Sequence, residues 1–490
     1  MTTSLGPVLA PKNLLVLMSD EHNPHTLGAA GHALAQTPHL DRLAARGTRF
    51  TSAYTTSPIC VPARAGFATG KYPHQIGYWD NADAYDGKVP SWHHLLRAAG
   101  HRVVSVGKLH FRGLPGDDHG FSEELLAMHV VEGLGDVKGL VRENIPRRNG
   151  YDKLAKLAGP GETPYTRYDR DIASRAQAWL RDEAPGERPW ALFVSFVCPH
   201  FPLVAPPEFY ERYPHERIPL PKQYLPAERP DHPYLRDYDA CVAYDAGFAG
   251  DHAKVRRAIA GYLGLVSFMD DNVGKVLGAL EQAGLAQSTR VVYTSDHGDN
   301  VGARGLWGKS TMYEESAGVP LILAGPDVST GTQCATPVSH VDLFPFFLEA
   351  VGEPAPRDGH PGTSPLAVAA GRDPDRAVLC EYHAIGSTGG ITMLRKGQWK
   401  YVHCVRYPPQ LFDLRADPEE LVDLADDPAH RATLAAMAAE LRRHLDPDEA
   451  DARAKRRQAE LLARAGGREA ALARGDLNYT PAPGQPPDMN

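Results

Sequence analysis

Residues 14–18 read Leu-Leu-Val-Leu-Met and stop abruptly on Ser19 and Asp20. An apolar run with no polar alternation makes a strand covered on both faces, and such strands belong to sheets held between two layers of helix. The pattern recurs along the chain. A helix is expected over 37–46, opened by Thr37-Pro38 and stopped by Gly47, and another over 91–99, closed by Gly100. A strand follows at 102–106. A helix over 170–181 precedes a strand at 190–197, and a long amphipathic helix over 254–283 precedes a strand at 290–294. A strand at 319–323 and a helix at 342–351 complete an α/β domain with charged residues at the carboxyl ends of its strands, where sites of such sheets lie.

After Val351 the pattern changes. Residues 354–365 read as a linker, and short strands at 378–382, 391–395 and 399–403 point to a smaller C-terminal α+β subdomain. Residues 429–464 read as one Ala- and Arg-rich helix, followed by a proline-rich extended tail from Tyr479. The expected units are 1–365, 366–445 and 446–490. The irregular stretch 199–233 is expected to cover the site. A net charge of -8 with no basic stripe argues against a nucleic-acid partner. No apolar run is long enough for a bilayer, and residues 1–13 show no signal-peptide pattern, so the reading is a cytoplasmic protein without a membrane partner. The six cysteines are scattered, which fits neither a disulfide framework nor a zinc site.

Cys60-Val61-Pro62-Ala63-Arg64, continued by Thr69-Gly70, carries the chemistry. Pro62 suits the first turn of a helix, which puts Cys60 at the helix mouth beside the expected free N–H groups of Ala63 and Arg64. Arg64 adds a fixed positive charge. This segment resembles the sulfatase signature, whose cysteine a separate maturase oxidises to formylglycine. The resemblance implies an aldehyde hydrate in which one hydroxyl attacks sulfur and the other expels sulfate.

Further motifs follow in the family's order. Gly107-Lys108-Leu109-His110 is similar to the second signature, implying that Lys108 binds sulfate and His110 takes the proton that releases it. Asp20 and the segment Ser295-Asp296-His297 resemble the metal-binding segments. Asp20, Asp296, His297 and residue 60 would then share one divalent cation, calcium or manganese, with Glu21 as a further candidate ligand. Cys198-Pro199-His200 and Gly308-Lys309 resemble the pair that clamps sulfate, with His200 as general acid; Asn81 resembles a substrate-contacting position.

The fold so implied is that of the alkaline phosphatase superfamily, a large mixed central sheet flanked by helices. The activity implied is hydrolysis of a small-molecule sulfate ester. Choline sulfatases look nearest, through segments such as Pro409-Gln410-Leu411-Phe412-Asp413-Leu414, although no aromatic-rich insertion follows Gly120 to cage a quaternary ammonium. The alternatives are a phosphonate monoester or phosphodiester hydrolase of the same superfamily, and an anion-binding homologue in which Cys60 is never converted. The tail from Tyr479 resembles arms that knit related enzymes into a dimer or tetramer, and is expected to close a neighbour's site.

Overall fold

The computed structural model describes residues 10, 12–184, 186, 188–355, 359–477 and 479–488. Residues 1–9 of the N-terminal segment, 356–358 of the expected linker and 489–490 of the tail lie outside the described residues. In chain order the main sheet is built from β1 (Asn13–Asp20), β2 (Gly47–Phe50), β3 (Arg102–Lys108), β4 (Glu123–Met128), β5 (Trp190–Pro199), β6 (Thr289–Ser295), β7 (Leu321–Ala324) and β8 (Thr332–Cys334). The spatial order is β8-β2-β7-β6-β1-β5-β3-β4. From β6 to β4 the strands are parallel, whereas β7 runs antiparallel to both β6 and β2. The sheet is therefore mixed, as expected.

The helices that cover it are α1 (Pro38–Ala45), α2 (Cys60–Thr69), α3 (Trp92–Ala98), α4 (Pro164–Asp182), α5 (His252–Gln282) and α6 (Leu343–Val351). Alternate residues of β1 feed two cores. Leu15 and Leu17 pack with Leu43 of α1, Trp179 of α4 and Met269 of α5. Leu14, Val16 and Met18 pack with Phe67 of α2, Leu96 of α3 and Phe347 of α6. Burial on both sides explains why the run shows no alternation.

Several boundaries differ from the sequence reading. Gly47 is not the stop of α1, because Arg46 is its C-cap and Gly47 begins β2. A Cβ there would lie 2.1 Å from the carbonyl oxygen of Leu323, so the glycine serves strand pairing. The helix expected over 170–181 begins earlier, at Pro164, where Thr163 accepts a hydrogen bond from the Thr166 N–H. The C-terminal antiparallel sheet comprises β9 (Ala377–Tyr382), β10 (Ile391–Lys396), β11 (Trp399–Cys404) and an additional β12 (Gln410–Asp413). The single helix expected over 429–464 is two, α7 (Arg431–His444) and α8 (Pro447–Arg464), followed by α9 (Gly467–Ala473). Asp446 caps α8 through the N–H groups of Asp448 and Glu449, and Pro447 sits in its first turn, so these two residues start a new helix.

Stretch 199–233 covers the site only through its first residues, His200, Phe201 and Leu203. Farther along, Phe209, Tyr213 and Ile218 are buried in the core that holds α5. The remaining cover comes from segment 134–154, from Tyr238, Val242 and Tyr244, and from the C-terminal tail.

Candidate active site

The parallel strands deliver their terminal residues to one edge. β1 ends at Asp20 beside β6, and Asp296 follows β6 directly, its N–H donating to the Ser19 carbonyl at 3.2 Å. β3 ends at Lys108 and β5 at Pro199, just before His200. Cys60 is the first residue of α2, which ends at Gly70 in the left-handed conformation (φ 64°) that glycine tolerates. The N–H of Ala63 is not free as expected: Ile59 takes it within the helix at 3.1 Å. The N–H of Val61 donates to Asn81 Oδ1 at 3.0 Å, so Asn81 fixes the helix entry while also lining the cavity.

Arg64 organises the floor. Its Nε donates to Asp296 Oδ2 at 2.8 Å and its Nη2 to Asp20 Oδ2 at 3.0 Å. Its Nη1 donates to the Lys108 carbonyl at 2.8 Å and to Ser195 Oγ at 3.0 Å. One oxygen of each buried carboxylate is thereby occupied, and the other faces inward. Asp20 Oδ1 lies 3.8 Å from Cys60 Sγ, and Asp296 Oδ1 lies 3.7 Å from His297 Nε2. His297 Nε2 is also 3.2 Å from Cys60 Sγ. Nδ1 of the same ring lies 3.0 Å from the Gly298 carbonyl, so it carries the proton and Nε2 presents its lone pair. Asp20, Cys60, Asp296 and His297 thus bring four donor atoms within 4.8 Å of one another, a set that fits a divalent cation.

Glu21 turns elsewhere. It holds a left-handed backbone (φ 69°) and accepts from Lys309 Nζ at 3.0 Å, with His200 Nε2 at 3.3 Å. Burial, opposed by Lys309 and reinforced by Asp299, raises its carboxyl to about 8. It groups with Asp20 and His200 rather than with His297. Lys309 Nζ lies 3.1 Å from Cys60 Sγ, and Lys108 Nζ lies 2.6 Å from Asp20 Oδ2. Burial, reinforced by Asp20, pushes the Cys60 thiol up to about 12. His110 and His200 are both held well below the usual histidine range, first by burial and then by Lys108 and Lys309 respectively.

Cys60, Lys108, His110, His200 and Lys309 all open onto one cavity of about 160 Å³. Groups that the sequence reading did not single out also reach it: Asp299, Asp136, Arg148, Asp476, Tyr479 and Thr480. Asp299 lies two residues beyond the Ser295-Asp296-His297 segment, whereas Thr480 is 370 residues from His110, its hydrogen-bond partner at 2.6 Å. The tail expected to close a neighbour's site lies over the site of its own chain.

A sequence profile described as Sulfatase matches residues 12–353, and one described as N-sulphoglucosamine sulphohydrolase, C-terminal, matches residues 302–446. Choline-sulfatase of Rhizobium meliloti (strain 1021) is 33% identical over 461 residues, covering 91% of this chain and 89% of the relative. Arylsulfatase K of Bos taurus is 29% identical over 439 residues, covering 84% and 78%. Two solved structures support the fold. One, in complex with its substrate D-glucosamine-2-N,6-O-disulfate, has a TM-score of 0.71 at 23% identity, covering 90% of this chain and 100% of that chain. The other, phosphonate monoester hydrolase of Agrobacterium radiobacter, has a TM-score of 0.72 at 21% identity, covering 98% and 99%. A profile spanning more than half of the chain, together with a 33% identical relative over nine-tenths of it, shows that the chain belongs to the sulfatase family, the sulfuric ester hydrolases.

Proposed function

We propose that the chain hydrolyses a small sulfate ester at residue 60, with formylglycine made from Cys60 by a maturase and with one divalent cation, calcium or manganese. The observation that supports this reading most is the convergence of Lys108, Lys309, His110 and His200 on the cavity above Cys60. Two lysines and two imidazoles form a polar, positively charged cradle for a tetrahedral anion. Asp20, Asp296, His297 and residue 60 would hold the cation, which when bound polarises the sulfuryl group as a Lewis acid. The unmodified thiol is a poor nucleophile in this setting, since burial and Asp20 keep it protonated. A hydrated aldehyde at that position supplies two hydroxyls on one carbon.

The side chains divide the remaining work. Lys108 and Lys309 flank the bound sulfate and offset its charge. His200 keeps a proton on Nδ1 against the Phe201 carbonyl at 2.8 Å and aims Nε2 toward Glu21. An anionic ester beside it raises its proton affinity, so it can deliver a proton to the departing alcohol oxygen. His110, neutral through burial, is suited to accept a proton in the step that frees sulfate.

Intact-mass and peptide analysis of the protein from its native source tests the reading. The residue-60 peptide is expected to carry CHO in place of CH2SH, and Cys60→Ala is expected to abolish sulfate-ester turnover while keeping the fold. An unconverted cysteine in an active preparation, or parental activity in Cys60→Ala, refutes it. The phosphonate hydrolase alternative rests on likeness of fold alone.

A further inference from the structure

Both family profiles end before the last 44 residues, at 353 and 446, yet four residues from that remainder line the cavity. The segment is fastened at three points. The Asp476 carboxylate, almost fully buried, meets Lys138 Nζ at 2.6 Å and Arg148 Nη1 at 3.1 Å, and accepts the N–H of Asn149. The Tyr479 ring stands edge-on to Tyr165 at 5.4 Å and to Phe201 at 5.9 Å. The Tyr165 hydroxyl donates to the Thr480 carbonyl. These contacts aim Thr480 Oγ1 at His110 Nε2, 2.6 Å away.

For His110 this contact is decisive. The residue adopts a left-handed backbone (φ 59°) that non-glycine residues seldom take, and its ring is buried. Nδ1 of the ring has no hydrogen-bond partner among the described residues. The Thr480 hydroxyl is then the group that fixes the ring's orientation, and in accepting the Nε2–H it selects the tautomer whose lone pair is on Nδ1.

We propose that Asp476, Leu477, Tyr479 and Thr480 form a strap built into the active site in cis, in which Thr480 is a positioning residue for His110 and Tyr479 walls the side where the leaving alcohol sits. Thr480 contributes no reacting atom. By accepting the Nε2–H it leaves the unpartnered Nδ1 of His110 with the lone pair that takes a proton when the neighbouring hydroxyl is unloaded, and the strap favours compact esters over sulfate groups within a polymer. This rests on the sulfatase reading of the site.

The experiment compares Thr480→Val and Thr480→Ser with the parent in the full-length, matured, metal-loaded enzyme. Thr480→Val is expected to lower kcat about tenfold or more on 4-nitrophenyl sulfate with kcat/KM within about twofold, KM falling alongside kcat, and Thr480→Ser to restore most of the loss. Under single-turnover conditions the first nitrophenol released per site should keep the parental rate, because His110 acts afterwards. A Thr480→Val enzyme with parental kcat and melting temperature overturns the assignment. So does a loss that serine leaves unrescued. A readout independent of turnover separates this from failure of the functional reading. In protein labelled with 15N at histidine, the His110 ring resonances, identified by their absence in His110→Gln, should shift to a tautomer mixture in Thr480→Val. Unchanged ring resonances overturn the proposal whatever the activity. Truncation after residue 475, if it folds, should raise KM for the nitrophenyl ester and admit a sulfated oligosaccharide; an unchanged KM for both removes the wall from the proposal.

Discussion

Arg64→Met isolates the guanidinium that ties the Asp20 and Asp296 carboxylates together. The side chain is 2% exposed, and its hydrogen bonds reach Asp20, Asp296, the Lys108 carbonyl and Ser195. Methionine keeps much of the bulk and removes the charge. Asp20 then retains Lys108 at 2.6 Å, while Asp296 keeps the N–H groups of Glu21 and His297 on Oδ1 and loses the donor on Oδ2. Breaking one half of a buried ion pair costs about 3–5 kcal/mol, because a desolvated charge is left behind. The folded-to-unfolded ratio of the metal-free protein should therefore fall by roughly two to four orders of magnitude. A divalent cation held, as proposed, by the same two carboxylates should stabilise the variant more than the parent. At a hundred times its dissociation constant it adds about 2.7 kcal/mol by mass action alone. Urea unfolding followed by tryptophan fluorescence, with and without calcium or manganese, measures both effects. A metal-free variant within about 1 kcal/mol of the parent would refute the reasoning, as would a cation that steadies the parent and leaves the variant unchanged.

His200→Ala should slow esters of unactivated alcohols far more than 4-nitrophenyl sulfate, by about 10²-fold against a few-fold, since a poor leaving group needs a proton. Equal losses on both substrates contradict the general-acid role. Glu315 tests the electrostatics away from the site. Burial alone would raise its carboxyl, but Arg304 at 3.1 Å and Lys222 at 2.5 Å hold it to about 2. Its stabilising effect is fully present above the ordinary carboxylate range and is lost as pH falls toward 2. Glu315→Gln should thus melt well below the parent at pH 7, by an effect on the order of 3 kcal/mol, and the gap should narrow steadily below pH 4. A gap that is constant with pH rules the ion pairs out as the cause.

The parts of the fold that could be read from sequence are those whose burial is written locally. β1, β3, β5 and β6 are apolar because both faces are covered; β1, β3 and β6 end on polar residues and β5 just before His200, because the carboxyl edge is open to the cavity. β4 escaped notice because it closes the sheet's edge, where half-exposed Glu-Glu-Leu-Leu carries neither period. β2 and β8 are too short to show one, and their place comes from pairing with each other and β7. The split between α7 and α8 was legible, since Asp446-Pro447 is a helix-start signal that the Ala- and Arg-rich composition masked. The strap was not, because no local pattern links Thr480 to a histidine on a strand end 370 residues earlier.

The charges in the floor also explain why an anion belongs there. Arg64 and Lys108 are paired with Asp20, Arg64 also with Asp296, and Lys309 with Glu21, whose carboxyl is raised by burial. His110 and His200 are kept neutral by burial and by the lysines. Lys108 and Lys309 thus give the cradle a positive face, to which a divalent ion on the carboxylates would add. Such a site leaves a neutral ester undersolvated and stabilises a monoanionic ester whose negative charge grows on the leaving oxygen. The same excess explains Arg64's geometry. By taking the outer oxygens, it pays for carboxylate burial without filling the positions a metal needs.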